Sequence, residues 1–191
     1  MEKNNQSTLP VTNEELIKYA KLTFGVEHPT TAQLKYVMTL LVPSLYLLDH
    51  HRIHGHPITF NIPNRDMTKA QSHRPWQIDI INDQSKDKVI IKSRQLGLSE
   101  IGVAEVIWFS DRYSEEAVKA LYTFPTNRQL DTFVKSRIDP QFNSGYYATI
   151  IDARKSSMKE KQIRNSFLIF RSSSKSGSVE GEHTTPLARV I

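Results

Sequence analysis

An α/β fold, with a mostly parallel sheet flanked by helices and preceded by an N-terminal helical segment, is predicted by three features of this 191-residue sequence. A β-branched run, Val89-Ile90-Ile91, leads into an eight-residue loop and then into apolar residues at helical spacing from Ile101 onward. A second such unit follows, with residues 121–124 read as a strand, Pro125-Thr126-Asn127 as the break, and residues 129–138 as a helix burying Leu130, Phe133, Val134 and Ile138. Successive strand-helix units favour parallel strands joined by right-handed crossovers. The third feature is the start of the chain, where the pattern is helical. Residues 1–72 are therefore assigned to a helical segment and 73–191 to the α/β domain.

In chain order, Thr12 and Glu15 form a capping box ahead of Leu16, Ala20 and Phe24 on one face, with Gly25 as the stop. A second helix starts at Thr30 or Thr31, buries Leu34, Val37, Met38 and Leu41, and continues beyond a kink at Pro43 through residues 45–48. These helices are expected to pack as a layer against the following domain; binding a partner subunit is the alternative. His50, His51, His54 and His56 are four of the seven histidines. His50 and His54 have the minimal i, i+4 spacing of a metal pair, whereas Gly55 and Pro57 argue for a helix end, where imidazoles suit the negative pole. Residues 58–62 read as a short strand, and 61–72 as a polar connection to a helical pattern at Ile78, Ile80 and Ile81. Residues 146–151 and 163–171 are further strand candidates. Between them Arg154, Lys155, Lys159, Lys161 and Arg164 form a basic stretch, either a solvated face or a contact for a DNA backbone. Residues 172–181 are rich in Ser, Gly and Lys, and 187–191 begin a last strand.

The chemistry sits in the loop Lys92-Ser93-Arg94-Gln95-Leu96-Gly97-Leu98-Ser99. Strand, eight-residue loop and helix is the layout of a phosphate-binding loop, G-x-x-x-x-G-K-[ST]. In that motif backbone amides cradle the phosphates, a lysine reaches the β and γ positions, and the hydroxyl holds Mg²⁺. Gly97 and Ser99 occupy the sixth and eighth places, but Lys92 stands where the first glycine would be and Leu98 where the lysine would be. A lysine at the loop's start can still fold its long stem over the phosphates, and Arg94 adds a planar fork suited to phosphate oxygens. The plainer reading is a turn ended by Gly97. Thr126 and Asn127, beyond the carboxyl end of the second strand, fall near this loop in such a sheet, and otherwise serve as a turn and helix cap.

The residues 92–99 resemble the deviant Walker A loop of the large terminase subunit, the genome-packaging ATPase of tailed bacteriophages, some members of which carry the lysine at the loop's first position. Arg74-Pro75-Trp76-Gln77 and Tyr122-Thr123-Phe124-Pro125-Thr126 extend the resemblance, which covers residues 74–191. It implies a P-loop NTPase-like domain that takes ATP and Mg²⁺. By this resemblance Lys92 neutralises the β and γ phosphates, Ser99 holds the metal, and Arg94 stabilises transition-state charge as an arginine finger in cis. Gln77 reads the adenine edge, whose N6 amine and N7 match a carboxamide; its alternative is a glutamine in a first helical turn beside a core tryptophan. Ser93, Gln95, Leu96, Gly97, Leu98 and Glu100 complete the implied nucleotide contacts. The implied partners are double-stranded DNA, the terminase small subunit, the portal protein and further copies of the chain in a ring on the procapsid. In the family the Walker B aspartate and catalytic glutamate directly follow the strand that begins here at Leu187, and this chain stops before both. A fragment, an interrupted gene product or completion by a second polypeptide is expected; Glu180 and Glu182, the nearby carboxylates, match nothing in the family. A non-catalytic nucleotide- or DNA-binding module and a helicase-type ATPase are the competing readings.

Apolar residues make up 38% of the chain and charged residues 24%, and a formal charge of +5 suits a polyanionic partner. The absence of cysteine excludes a disulfide framework, a thiol nucleophile and a cysteine-based zinc site. The first nine residues lack the basic-then-apolar order of a signal peptide, and no apolar run approaches the roughly 18 residues needed to span a bilayer, so no membrane association and a cytoplasmic location are expected. Phosphoryl transfer to water needs a base or orienting group as well as a cradle. The 191-residue chain is therefore predicted to bind ATP but to release phosphate at no more than a small multiple of background. Robust phosphate release that disappears in Lys92→Ala would place the catalytic carboxylate within this sequence.

Overall fold

The computed structural model describes residues 11–53, 55–58, 76–83, 85, 88–92, 96–174 and 189–190. Its first helix, α1 (Asn13–Phe24), begins at the expected capping box, where Thr12 Oγ1 accepts from the Glu15 amide at 3.2 Å and Glu15 Oε2 accepts from the Thr12 amide at 2.9 Å. Gly25, at φ 63°, ends it. Helix α2 (Thr31–Leu41) repeats the device with Thr30 and Gln33. Pro43 does not kink this helix, as the sequence had implied. Val42 is extended, and Pro43 takes the first turn of a separate helix α3 (Pro43–His50), where its missing amide costs nothing. A two-strand antiparallel ribbon follows, β1 (Arg52–Ile53) with β2 (His56–Pro57). Ile58 is buried but belongs to no strand; the rest of the strand expected over 58–62 and the connection expected over 61–72 lie outside the described residues, and the next described element is α4 (Trp76–Asn82).

The expected strand at Val89, Ile90 and Ile91 is not formed. These residues join no sheet and are 91, 44 and 97% exposed. β-Branched composition reports fit to a pleated, half-buried surface, and here no such surface meets them. The helix after the loop does form, as α5 (Leu98–Arg112), and every residue from 100 to 111 is buried. Then come β3 (Lys119–Phe124) and α6 (Asn127–Phe133), which runs on through a wide π-helical turn (Val134–Ile138) and a tight 3-10 turn (Asp139–Asn143). Helix α7 (Gly145–Ile150) leads to β4 (Ile151–Asp152), β5 (Glu160–Ile163), β6 (Ser166–Ser172) and β7 (Arg189–Val190).

The sheet has the order β4-β5-β6-β3-β7. β3 pairs in parallel with β6 and β7, whereas β5 pairs antiparallel with β4 and β6. The sheet is thus mixed, not mostly parallel, for two local reasons. The run 163–171 is broken by a tight turn at Arg164, φ 50°, which makes a hairpin of what reads as one strand. Residues 146–150 are helical despite two tyrosines, because the helical turn stacks Tyr146 on the His50 ring at 3.9 Å and Tyr147 against Tyr46 at 6.0 Å. Helix α5 lies against this sheet. Gly102 allows it close, since a Cβ there would stand 3.0 Å from the Tyr122 hydroxyl.

The main core joins Val103, Val106, Ile107 and Trp108 of α5 to Ala120, Leu168 and Phe170 of the sheet, and includes Tyr46 of α3. A smaller cluster joins Leu47, Ile81, Ile101 and Ala104. Trp108 Nε1 donates to the Leu40 carbonyl at 2.8 Å, so the helical segment is tied to the same core by a polar contact as well. Among the described residues no helix is long and apolar enough to cross a membrane. Phe170 is fully buried on the strand that bridges the parallel and antiparallel halves of the sheet. Phe170→Ala is predicted to lower unfolding free energy by about 3 to 5 kcal/mol, read from urea denaturation.

Candidate functional site

Of the loop, Lys92 and the residues from Leu96 to Ser99 are described; Ser93, Arg94 and Gln95 lie outside the described residues. Gly97 adopts φ 71°, ψ 12° at the start of α5, a left-handed conformation that a side chain would disfavour. Its carbonyl accepts from the Glu100 and Ile101 amides at 3.1 and 3.3 Å, which begins the helical ladder. The earlier amides, those of Leu98 and Ser99, have no acceptor within the helix. A left-handed residue running into a helix turns consecutive amides to one side, the backbone arrangement that holds an anion. Ser99 is exposed at this point, and Leu98 is half-buried.

Gln77 is brought to the loop by α4. It is 2% exposed, and its Nε2 donates to the Leu96 carbonyl at 3.0 Å. The neighbouring tryptophan is not in the core, since Trp76 is 45% exposed. One of the two hydrogens on Gln77 Nε2 is therefore engaged by the loop itself. The chain entering the loop is held in the same way. Lys88 Nζ donates to the carbonyls of Ile80 and Asp83 at 2.9 and 3.0 Å and pairs with Glu105 of α5 at 2.9 Å.

Beyond the carboxyl end of β3 lies a groove of about 490 Å³, with Ser99, Arg128 and Arg137 among its polar residues and Phe124, Pro125 and Phe133 as its apolar ones. No acidic residue lines it among the described residues. Lys92 is exposed and is not part of this lining. Thr126 and Asn127 do not line it either. Thr126 caps α6, its Oγ1 accepting from the Gln129 amide at 3.3 Å. The sequence reading missed both arginines for a geometric reason. Arg128 and Arg137 are separated by about two and a half turns at 3.6 residues per turn, which places them on opposite faces of a regular helix. The wide turn at Val134–Ile138 advances less per residue and swings Arg137 back toward the groove.

Glu100, expected among the nucleotide contacts, does not line the groove. Its side chain is turned inward, with Oε1 at 2.8 Å from His51 Nε2 and Oε2 at 2.7 Å from Arg137 Nη1. Tyr147 lies 3.4 Å from His51 Nδ1, and Gln141, which donates to the Arg52 carbonyl at 2.6 Å, closes the cluster. Burial pushes the Glu100 carboxyl up, but the hydrogen bond and charge of His51, followed by Arg137, outweigh it and hold the group below the usual carboxylate range. His50 stacks on Tyr146, and burial lowers its pKa; His54 lies outside the described residues. No group of three or more acidic or imidazole side chains is placed to hold a metal ion among the described residues. In the basic stretch, Lys161 pairs with Asp139 at 2.8 Å and Arg164 with Asp111 at 2.6 Å, so these two cations stabilise the fold, while Arg154, Lys155 and Lys159 are exposed. Glu180 and Glu182 lie outside the described residues.

No family model, curated protein or solved structure matches this chain. The groove and its supporting cluster therefore rest on their own geometry.

The Glu100 cluster gives a pH-dependent prediction. Glu100→Ala takes the acceptor from a buried imidazole and from a half-exposed arginine, a loss of about 1 to 3 kcal/mol at neutral pH. Because the folded pKa lies below the ordinary 4.5, the ionic contribution is complete above that pH and is lost as pH falls through the folded value. The stability difference between the parent chain and Glu100→Ala should thus narrow below pH 4.5 in urea titrations. A difference that stays constant down to pH 3 would rule out an ionic contribution.

Proposed function

We propose that this chain is the ATP-binding, amino-terminal portion of a genome-packaging motor of the large terminase type, working on double-stranded DNA in the host-cell cytoplasm. The observation that carries the reading is the junction of Gly97 and Ser99 with an acid-free groove containing two arginines beyond the carboxyl end of β3. Ligand sites in α/β sheets lie at that end of the strands. A nucleoside triphosphate finds there the first amides of a long helix, a hydroxyl and two guanidinium groups, and its Mg²⁺ finds the exposed Ser99 hydroxyl. Lys92 and Arg94 supply the remaining cations in this reading, and Gln77 braces the loop through Leu96 besides reading the base. In the same reading the partners are the terminase small subunit, the portal protein and further copies of the chain in a ring.

The test is Mg²⁺-dependent ATP binding, measured by calorimetry or with a fluorescent analogue. Because the lysine stands at the loop's start, Lys92→Ala should remove a charge-assisted contact and weaken binding by about 1.5 to 3 kcal/mol, roughly ten- to a hundredfold. Leu98→Ala, at the place where the lysine usually stands, should cost little beyond local packing. Equal losses at the two positions would count against a relocated lysine. A folded chain that binds no ATP at millimolar nucleotide would end the reading altogether.

A further inference from the structure

We infer that Arg137 is an anion-binding side chain of the groove and that Glu100, backed by His51, is the residue that positions it; the inference rests on the nucleotide reading of the groove. Arg137 is 48% exposed at its side chain and lines the groove together with Ser99 and Arg128. Its Nη1 is fixed at 2.7 Å by Glu100 Oε2, and a guanidinium anchored by one nitrogen keeps the rest of its planar fork for a second partner. The anchor is itself immobilised. The other Glu100 oxygen meets His51, which is completely buried and held from its far side by Tyr147.

The energetics separate this arrangement from a simple stabilising pair. A buried carboxylate must be compensated, and replacing all members of such a cluster together by apolar residues of similar volume is often neutral or stabilising, so stability alone does not call for this one. What the carboxylate adds is an arginine with a single orientation, aimed along the groove wall. An anion entering the groove then meets a guanidinium whose rotamers are already restricted, so less entropy is lost on contact. The wide turn at Val134–Ile138 is the second part of the device. It exposes Arg137 and Ser136 to the groove while Val134 and Ile138 stay buried. Such turns within helices occur frequently at functional sites. The phosphate tail is the part of the ligand that this chemistry selects, because the groove offers it cations with no competing carboxylate along its lining.

Calorimetric titration of ATP, ADP and AMP into the full chain and into Arg137→Ala, Arg137→Lys, Glu100→Gln and the double variant Glu100→Gln/Arg137→Ala tests this. Folding of each is checked by circular dichroism. Arg137→Ala should weaken ATP about ten- to a hundredfold and AMP far less, and Arg137→Lys should restore only part of the loss. Glu100→Gln should weaken ATP in the parent chain but add nothing in the Arg137→Ala background, the non-additivity of a residue that acts through another. Arg137→Met, which keeps the aliphatic stem, replaces the alanine variant if that does not fold. Unchanged ATP affinity in a folded Arg137→Ala or Arg137→Met, alongside a loss in Lys92→Ala, would overturn the role of Arg137 and leave the nucleotide reading standing. An additive effect of Glu100→Gln in the Arg137→Ala background would overturn the positioning role. No ATP binding by the parent chain would overturn both readings together.

Discussion

Three carboxylates on one buried helix constrain this fold more than any other feature. α5 is covered along nearly its whole length, yet it carries Glu100, Glu105 and Asp111, each less than a tenth exposed. An unpaired buried carboxylate costs several kcal/mol, so each must bring a cation or donor with it. Each does, and each partner comes from a different part of the chain. Glu105 draws in Lys88 from the segment entering the loop, Glu100 draws in His51 and Arg137, and Asp111 accepts from Arg164 and from the hydroxyls of Tyr46 and Tyr146. Burial followed by the neighbouring Asp111 pushes the Tyr146 hydroxyl up, so it stays a donor. The helix is thus a spine to which the amino-terminal helices, the loop, the wide turn and the hairpin are separately fastened.

The same pairings decide what the groove can offer. Ser99 is presented because α5 starts at a left-handed glycine, and Arg137 is presented because Glu100, one residue later, holds it. Adjacent residues therefore face different surroundings. Ser99 faces outward, while Glu100 faces the interior and reaches the groove only through its arginine. Gln77 has a comparable double position, buried on α4 but bonded to the loop backbone. The amino-terminal helices share in this. Tyr46 and Leu47 of α3 pack into the two core clusters, and His51 caps the same helix while backing Glu100. The helical segment and α5 are joined by apolar burial and by a buried contact of imidazole with carboxylate.

The basic character of the chain divides along similar lines. Lys88, Lys161 and Arg164 pair with buried or half-buried acids away from the groove, whereas Arg128 and Arg137 line it, Arg137 while bonded to the buried Glu100. A positive formal charge counts both kinds alike.

The sequence by itself determined the features whose interactions close within about a turn of helix. The capping box at Thr12, the stop at Gly25, the helix start at Thr30 or Thr31, the strand β3 and the Thr126 cap depend on partners three or four residues away or on a periodicity visible in a short window. Tertiary structure decided the rest. Val89 to Ile91 have the composition of a strand but no neighbour to pair with, and residues 146–150 have aromatic residues typical of strands but gain more from stacking on α3 as a helix. The convergence of Arg128 and Arg137 was hidden by a change of helical pitch that no residue between them announces, and the inward turn of Glu100 by a histidine 49 positions away. Local hydrogen bonds are written in neighbouring residues; the pairing of a buried charge is settled by whichever distant segment the folded chain brings beside it.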